Sequence, residues 1–233
     1  MTGTAKDHRH ILESHGLFGG LSSAELDRVL SFARIETHRA RETIFLKGSP
    51  GRGLLAVLKG RVQIRAPGVD GREVTLNIID QGEVFGEIAL LDGRERSADA
   101  VAMTNCELLV IDRREFVPFL KQNAEIALRL MAVLCDRLRR TTEQVEDLLF
   151  LNLASRLAKK LLSLAAGGDR HKKGVTLKHK LSQRELANLV GFSRESVNKQ
   201  LAAWQKSQLI SIADGNITLL DETQLQGIAD SPD

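Results

Sequence analysis

SQRELANLVGFSRESVNKQLAAW, residues 182–204, is the most specific stretch in the chain, and its reading decides the architecture of the C-terminal end. Ser182 followed by Glu185 is an S-x-x-E capping box, which satisfies two free N–H groups and starts a helix. Leu186, Leu189 and Val190 form that helix's inner face, Ala187 sits where two helices can approach closely, and Gly191 supplies the turn. Ser193 is placed to cap a second helix, in which Val197, Leu201 and Trp204 recur at i, i+4 and i+7 as an apolar stripe. Two short helices joined in this way form a helix-turn-helix. LISIA (209–213), Asp214-Gly215 and NITLL (216–220) then read as a hairpin with a type I′ turn, which makes the unit a winged helix. The second helix presents Ser193, Arg194, Glu195, Asn198 and Lys199 outward. An arginine fork can donate to guanine O6 and N7, a glutamate can accept from cytosine N4, and asparagine or lysine can add base or phosphate contacts. The plainer reading is an incidental helical hairpin with a solvated charged face.

Charge favours the DNA reading. Residues 1–152 carry 21 Lys and Arg against 22 Asp and Glu, a net of −1. All twelve cations of the remaining chain lie between Arg156 and Lys206, where the only acids are Asp169, Glu185 and Glu195. A basic segment on a near-neutral body points to a polyanion, most simply DNA or RNA, with a solvated cationic surface as the plainer reading. Tyr is absent and Trp occurs once, which argues against a stacking platform for single strands.

At 233 residues, 42% hydrophobic and 27% charged, the chain reads as one or two globular domains, and disorder throughout is excluded. Its apolar runs are too short for a membrane-spanning helix, and the polar N-terminus has no signal-peptide core. Cys106 and Cys135 make neither a disulfide framework nor a four-thiolate site, so a reducing cytoplasm is the expected home.

Upstream, Leu128, Met131, Cys135, Leu138, Thr142, Val145 and Leu149 recur at 3-4 spacing along a helix from about Ala124 to Leu149. That is the a/d seam of a parallel coiled coil, and a homodimer is the simplest partner for it. An intramolecular core helix is the alternative. A second stripe, Leu130, Leu134 and Thr141, is suited to packing on the N-terminal domain. The helix should break near Phe150 to Asn152, with Asn152 capping a new helix over Leu153 to Ala165, and residues 167–174 read as a basic loop. From Arg41 to Phe119 the pattern is β: short, often alternating runs at 43–46, 54–58, 61–65, 74–79 and 106–111, punctuated by turns at 47–51, Lys59-Gly60, Pro67-Gly68 and Asp70-Gly71. A short helix over Ser22 to Phe32, capped by Ser22 or Ser23, precedes it. The expected organisation is α+β: a β-roll of the jelly-roll or double-stranded β-helix type over 1–122, a dimerisation helix and hinge over 123–151, and a winged helix-turn-helix over 152–233.

Residues 190–199, VGFSRESVNK, resemble the recognition helix of the CRP/FNR family, cyclic-AMP receptor type, nearly residue for residue. The resemblance implies that Arg194 and Glu195 read base edges. The family's cyclic-AMP receptors commonly have a second arginine where this chain has Lys199, so a half-site similar to the TGTGA type, but not identical with it, is implied. Residues 85–98, FGEIALLDGRERSA, are similar to the family's phosphate-binding cassette. The resemblance assigns Gly86, Glu87, Ile88, Ala89, Arg96, Ser97 and Ala98 to cyclic-nucleotide binding. Gly86 would let backbone approach the ligand, and a short helix after it would aim N–H groups at a phosphate. Arg96 would fork onto the phosphodiester, Ser97 would donate to it, and Glu87 would accept the ribose 2′-OH. The plainer readings are β-turn glycines at 86 and 93, a solvated Glu87, and an Arg96 paired with Asp92 or Asp99. Thr141 and Thr142 align with the pair through which the family's cyclic-AMP receptors touch the nucleobase, one across the seam, and a register-fixing polar pair is the alternative. Arg137 is assigned to support Glu87 or the phosphate.

The expected effector is cyclic AMP, with cyclic GMP also considered, since a threonine hydroxyl both donates and accepts. No metal, haem or iron–sulfur cluster is expected: two cysteines are too few for a four-thiolate cluster, and His8, His10, His15 and His38 show no ligand pattern. The implied function is a homodimeric, cytoplasmic, cyclic-nucleotide-activated transcription regulator, with DNA and RNA polymerase as partners and no membrane. It is not expected to be an enzyme. The alternative is a constitutive DNA-binding member of the same fold with a vestigial pocket or another ligand.

Overall fold

The computed structural model describes residues 5–13, 16–68, 73–171 and 173–231, and for residues 5–8 the backbone alone. His15, Lys172 and the expected turn at Asp70-Gly71 lie outside the described residues, as does the side chain of His8. The elements run α1 (Ala5–Glu13), α2 (Ser23–Ser31), β1 (Ala33–His38), β2 (Thr43–Phe45), β3 (Gly53–Lys59), β4 (Val62–Pro67), β5 (Glu73–Ile79), β6 (Val84–Phe85), α3 (Glu87–Asp92), β7 (Asp99–Ala102), β8 (Cys106–Asp112), α4 (Arg113–Gln122) and α5 (Ala124–Phe150). Then come α6 (Leu153–Ala165), β9 (Asp169–His171), β10 (Gly174–Thr176), α7 (Gln183–Val190), α8 (Arg194–Lys206), β11 (Ile210–Ala213), β12 (Asn216–Leu219) and α9 (Glu222–Ala229). The chain divides into two compact units, residues 1–67 with 76–139, and residues 140–233 with 68–75.

The first unit holds two four-stranded sheets of order β1-β8-β3-β6 and β2-β7-β4-β5. Strand β3 shows why they stack. Its run GLLAVL is buried on both faces. Leu55 and Val57 join Leu108, Val110, Val62 and Ala100 between the sheets, while Leu54, Ala56 and Leu58 face a second cluster. That second cluster takes in Phe116 and Phe119 of α4 and Ile126 and Leu130 of α5. A continuous apolar run is what a strand buried on both sides requires. The β segment expected from Arg41 to Phe119 needs two corrections. It begins earlier, at β1, whose sequence ARIETH has no apolar alternation and no fully buried residue. It ends in α4, a helix that carries Pro118 in its interior. Helix α3 is the short helix expected after Gly86.

In the second unit, Asn152 caps α6 by accepting from Ser155 N at 3.0 Å. Strand β9 pairs antiparallel with β10 where the sequence suggested a loop, and β10 pairs in turn with β12. Ser182 and Glu185 close a capping box on α7, and Gly191 ends that helix at φ 72° with its N–H on Ala187 O. Val197, Leu201 and Trp204 of α8 are buried. Asp214 and Gly215 both have positive φ, as a type I′ turn between β11 and β12 demands.

Candidate functional site

Gly86 and Gly93 flank α3, both in the left-handed region, as its N- and C-cap residues. A Cβ at Gly86 would overlap Arg96 Nη1, and one at Gly51 would overlap Ala89 Cβ. Glycine at both positions lets the 85–98 segment close on the β2–β3 connection. The result is a small, partly open cleft. Gly86, Glu87, Ile88, Ala89, Arg96, Ser97, Ala98 and Arg137 all line it, joined by Phe45, Ile64 and Phe85.

Arg96 is 8% exposed. Its Nη1 donates to Gly86 O and its Nη2 to Gly53 O, each at 2.9 Å, and its guanidinium lies 4.2 Å from the centre of the Phe45 ring. Nε has no hydrogen-bond partner among the described residues. Burial pushes this guanidinium below the ordinary arginine range, while the negative charge of Glu87 pulls it back. Arg96 is paired with neither Asp92 nor Asp99. Asp92 caps Arg94 N, and Asp99 accepts from Lys47 N and faces Arg65. Glu87 is not a solvated acid either. It is 2% exposed and ion-paired with Arg137, whose other terminal nitrogen donates to Val84 O. A buried cation with a donor left over, beside a buried carboxylate, suits a ligand that offers both an anion and a hydroxyl.

Ser97 and Ile88 are exposed at the cleft's edge, and Ala89 and Ala98 are buried. Thr141 and Thr142 are not among the lining residues. They lie further along α5 and are exposed, as are Leu128, Met131, Leu138, Val145 and Leu149 of the seam. Of the second stripe, Leu130 is buried, Leu134 half-buried and Thr141 exposed. Phe45, Gly53 and Val84 carry parts of the site that the sequence did not single out. The glycines at 48, 51 and 53 were the available signal for the second of these.

On α8, Arg194, Glu195 and Lys199 are exposed and Asn198 is half-buried. Ser193 is the N-cap, its Oγ accepting from Ser196 N at 3.1 Å and sharing a hydrogen bond with Ser196 Oγ. Arg156, which the sequence marked only as the first cation of the basic segment, fixes this motif to the end of α5. It donates to Val190 O and Leu151 O, each at 3.0 Å, and lies 4.6 Å over Phe192.

The cyclic nucleotide-binding domain family matches residues 35–123, and the Crp-like helix-turn-helix domain family matches residues 155–228. The chain is 32% identical over 216 residues to a "CRP-like cAMP-activated global transcriptional regulator" of Mycobacterium tuberculosis, covering 92% of this chain and 96% of that one. The chain belongs to the CRP/FNR family. Another family member, the "cAMP-activated global transcriptional regulator CRP" of Escherichia coli, is 33% identical over 189 residues, 80% of this chain and 89% of that one. Among solved family structures, the c-di-GMP-responsive global regulator CLP of Xanthomonas campestris superposes with a TM-score of 0.76 at 28% identity, covering 86% of this chain and all of that one. This CRP/FNR protein is a cyclic-nucleotide-responsive DNA-binding regulator of a family of transcription regulators. No helix among its described residues is long and apolar enough to cross a membrane.

Proposed function

We propose that this protein is a homodimeric, cyclic-AMP-activated transcription regulator that acts in the cytoplasm, binds a pseudo-palindromic DNA site and works with RNA polymerase. One observation carries the effector reading: the buried Arg96, whose Nε has no hydrogen-bond partner among the described residues, beside the buried Glu87. Arg96 and Ser97 would hold the phosphodiester and Glu87 the ribose 2′-OH, with Arg137 orienting Glu87. Gly86 and Ala89 leave room for the ligand, and Ile88 and Ala98 supply apolar contact. The exposed a/d seam of α5 supports the dimer. Thr142, on that seam, would reach the nucleobase across the two-fold, and Thr141 would reach it from its own side.

Calorimetric titration with cyclic AMP and with cyclic GMP tests this reading. Tight binding of cyclic AMP is expected, and failure of cyclic AMP to bind overturns it. In the same assay Thr142→Ala should change the ratio of the two affinities without loss of dimerisation, since alanine is well tolerated in a helix. An unchanged ratio leaves Thr142 a seam residue only.

For DNA, half-sites about one helical turn apart are expected, because two recognition helices related by a two-fold enter successive major grooves. Binding should need nucleotide and weaken steeply with salt. Arg194→Ala should cost roughly 1–3 kcal/mol per half-site and relax the preference for one guanine, read by selection from a randomised duplex library. Selection of the wild-type site with wild-type preference removes Arg194 from base reading.

A further inference from the structure

Asn198 is anomalous on α8. Asparagine is among the weaker helix formers, yet it stands in the middle of this helix with no compensating bond. Its Oδ1 is sealed from solvent with no hydrogen-bond partner among the described residues. A buried amide oxygen left without a donor is costly. Among the described residues no hydrogen bond holds the oxygen where it is, so turning about the side chain's own torsions carries it outward without breaking one.

The direction it would turn is set by the helix. Asn198 lies one turn beyond Arg194 and three residues beyond Glu195, on the flank of α8 that those two exposed residues begin. Four residues of helix advance about 6 Å, and one base step about 3.4 Å. An outward amide at 198 therefore reaches one to two base pairs from the base met by Arg194. A carboxamide offers one acceptor and one donor side by side. Adenine alone among the bases presents the complementary pair in the major groove, a donor at N6 next to an acceptor at N7.

We propose that Asn198 reads an adenine within two base pairs of the guanine read by Arg194. This rests on α8 being the helix that enters the major groove, and it adds a specific base at a specific offset. Lys199 beside it is a flexible cation without fork geometry, so the sequence preference at that offset falls to the amide and not to the charge.

The test is selection from a randomised duplex library by the full chain, once with saturating cyclic AMP and once with saturating cyclic GMP, for wild type, Asn198→Ala, Asn198→Asp and Arg194→Ala. Alanine is the better helix former, so Asn198→Ala should fold as well as wild type, checked by circular dichroism. The expected result is an adenine preference of roughly 5- to 150-fold in wild type that Asn198→Ala flattens at one base pair per half-site, with the guanine preference retained. Asn198→Asp, now an acceptor only, should move the preference at that position toward cytosine, whose N4 donates. If Asn198→Ala selects the wild-type site, or weakens all sequences evenly as a phosphate contact would, the adenine assignment is wrong. If Arg194→Ala also selects the wild-type site, the reading of α8 itself fails and the adenine assignment with it. A shift with Arg194→Ala and none with Asn198→Ala overturns the adenine assignment alone.

Discussion

Arg96→Ala should lower cyclic-nucleotide affinity by roughly 30-fold to several-thousand-fold, the loss of about 2–5 kcal/mol that follows truncation of one partner in a buried charge-assisted contact. The guanidinium is already aimed, with two of its nitrogens spent on Gly86 O and Gly53 O and its face on Phe45, so little ordering is left to do when an anion arrives. The fold should survive, because a buried cation held by two carbonyls, a ring and the nearby charge of Glu87 contributes little net stability once its desolvation is counted. Arg96→Lys separates charge from shape. It keeps the cation, loses the fork and the stacking, and should fall between wild type and alanine. Titration calorimetry with a parallel thermal melt reads both quantities, and wild-type affinity in Arg96→Ala removes Arg96 from the site.

Gly174→Ala should unfold the DNA-binding unit at temperatures where nucleotide binding persists. Gly174 opens β10 at φ 134°, a conformation open in practice to glycine alone, and a Cβ there would overlap the carbonyl oxygen of Leu219 on the neighbouring β12. Backbone strain of about 1–3 kcal/mol adds to an overlap of about 1–3 kcal/mol that no flexible side chain can relieve. For a unit of this size, a melting temperature lower by at least ~10 °C follows. Trp204 is the single tryptophan of the chain and is buried in this unit, so its fluorescence reports the transition selectively. Gly227→Ala is the matched control. It lies within α9 with open space where its Cβ would go, and should stabilise slightly. A melt unchanged by Gly174→Ala contradicts the close approach of β10 to β12.

Most of the fold was legible where one local rule acted alone. The capping box at Ser182, the Asn152 cap and the Asp214-Gly215 turn are each fixed by neighbours within four residues. Elements that depend on distant partners were not legible. Strand β9 reads DRH and has nothing apolar to announce it. It exists because β10 offers an edge, and β10 exists because β12 does. Helix α4 hides behind Pro118 and follows directly on a strand, and α9 is too short and polar to stand out from a C-terminal tail. At the cleft, the residue types of the cassette were readable in order. The Phe45 ring under Arg96 and the Gly53 carbonyl join positions some 40–50 residues apart, and no spacing rule reaches that far. The Arg137–Glu87 pair, equally distant in sequence, was open to reading only through the family resemblance.

The exposed apolar seam of α5, with Leu138 68% and Leu149 71% accessible, makes abundance a variable in the protein's behaviour. If those side chains leave water only when two chains meet, the population of competent regulator grows with the square of chain concentration while the two-chain form is scarce. Halving expression would then remove more than half of the DNA-binding species, and partitioning at cell division would be felt at the promoter. The effector titrates a population that mass action has already set, so a cell can retune its sensitivity to the signal by changing how much of this chain it makes.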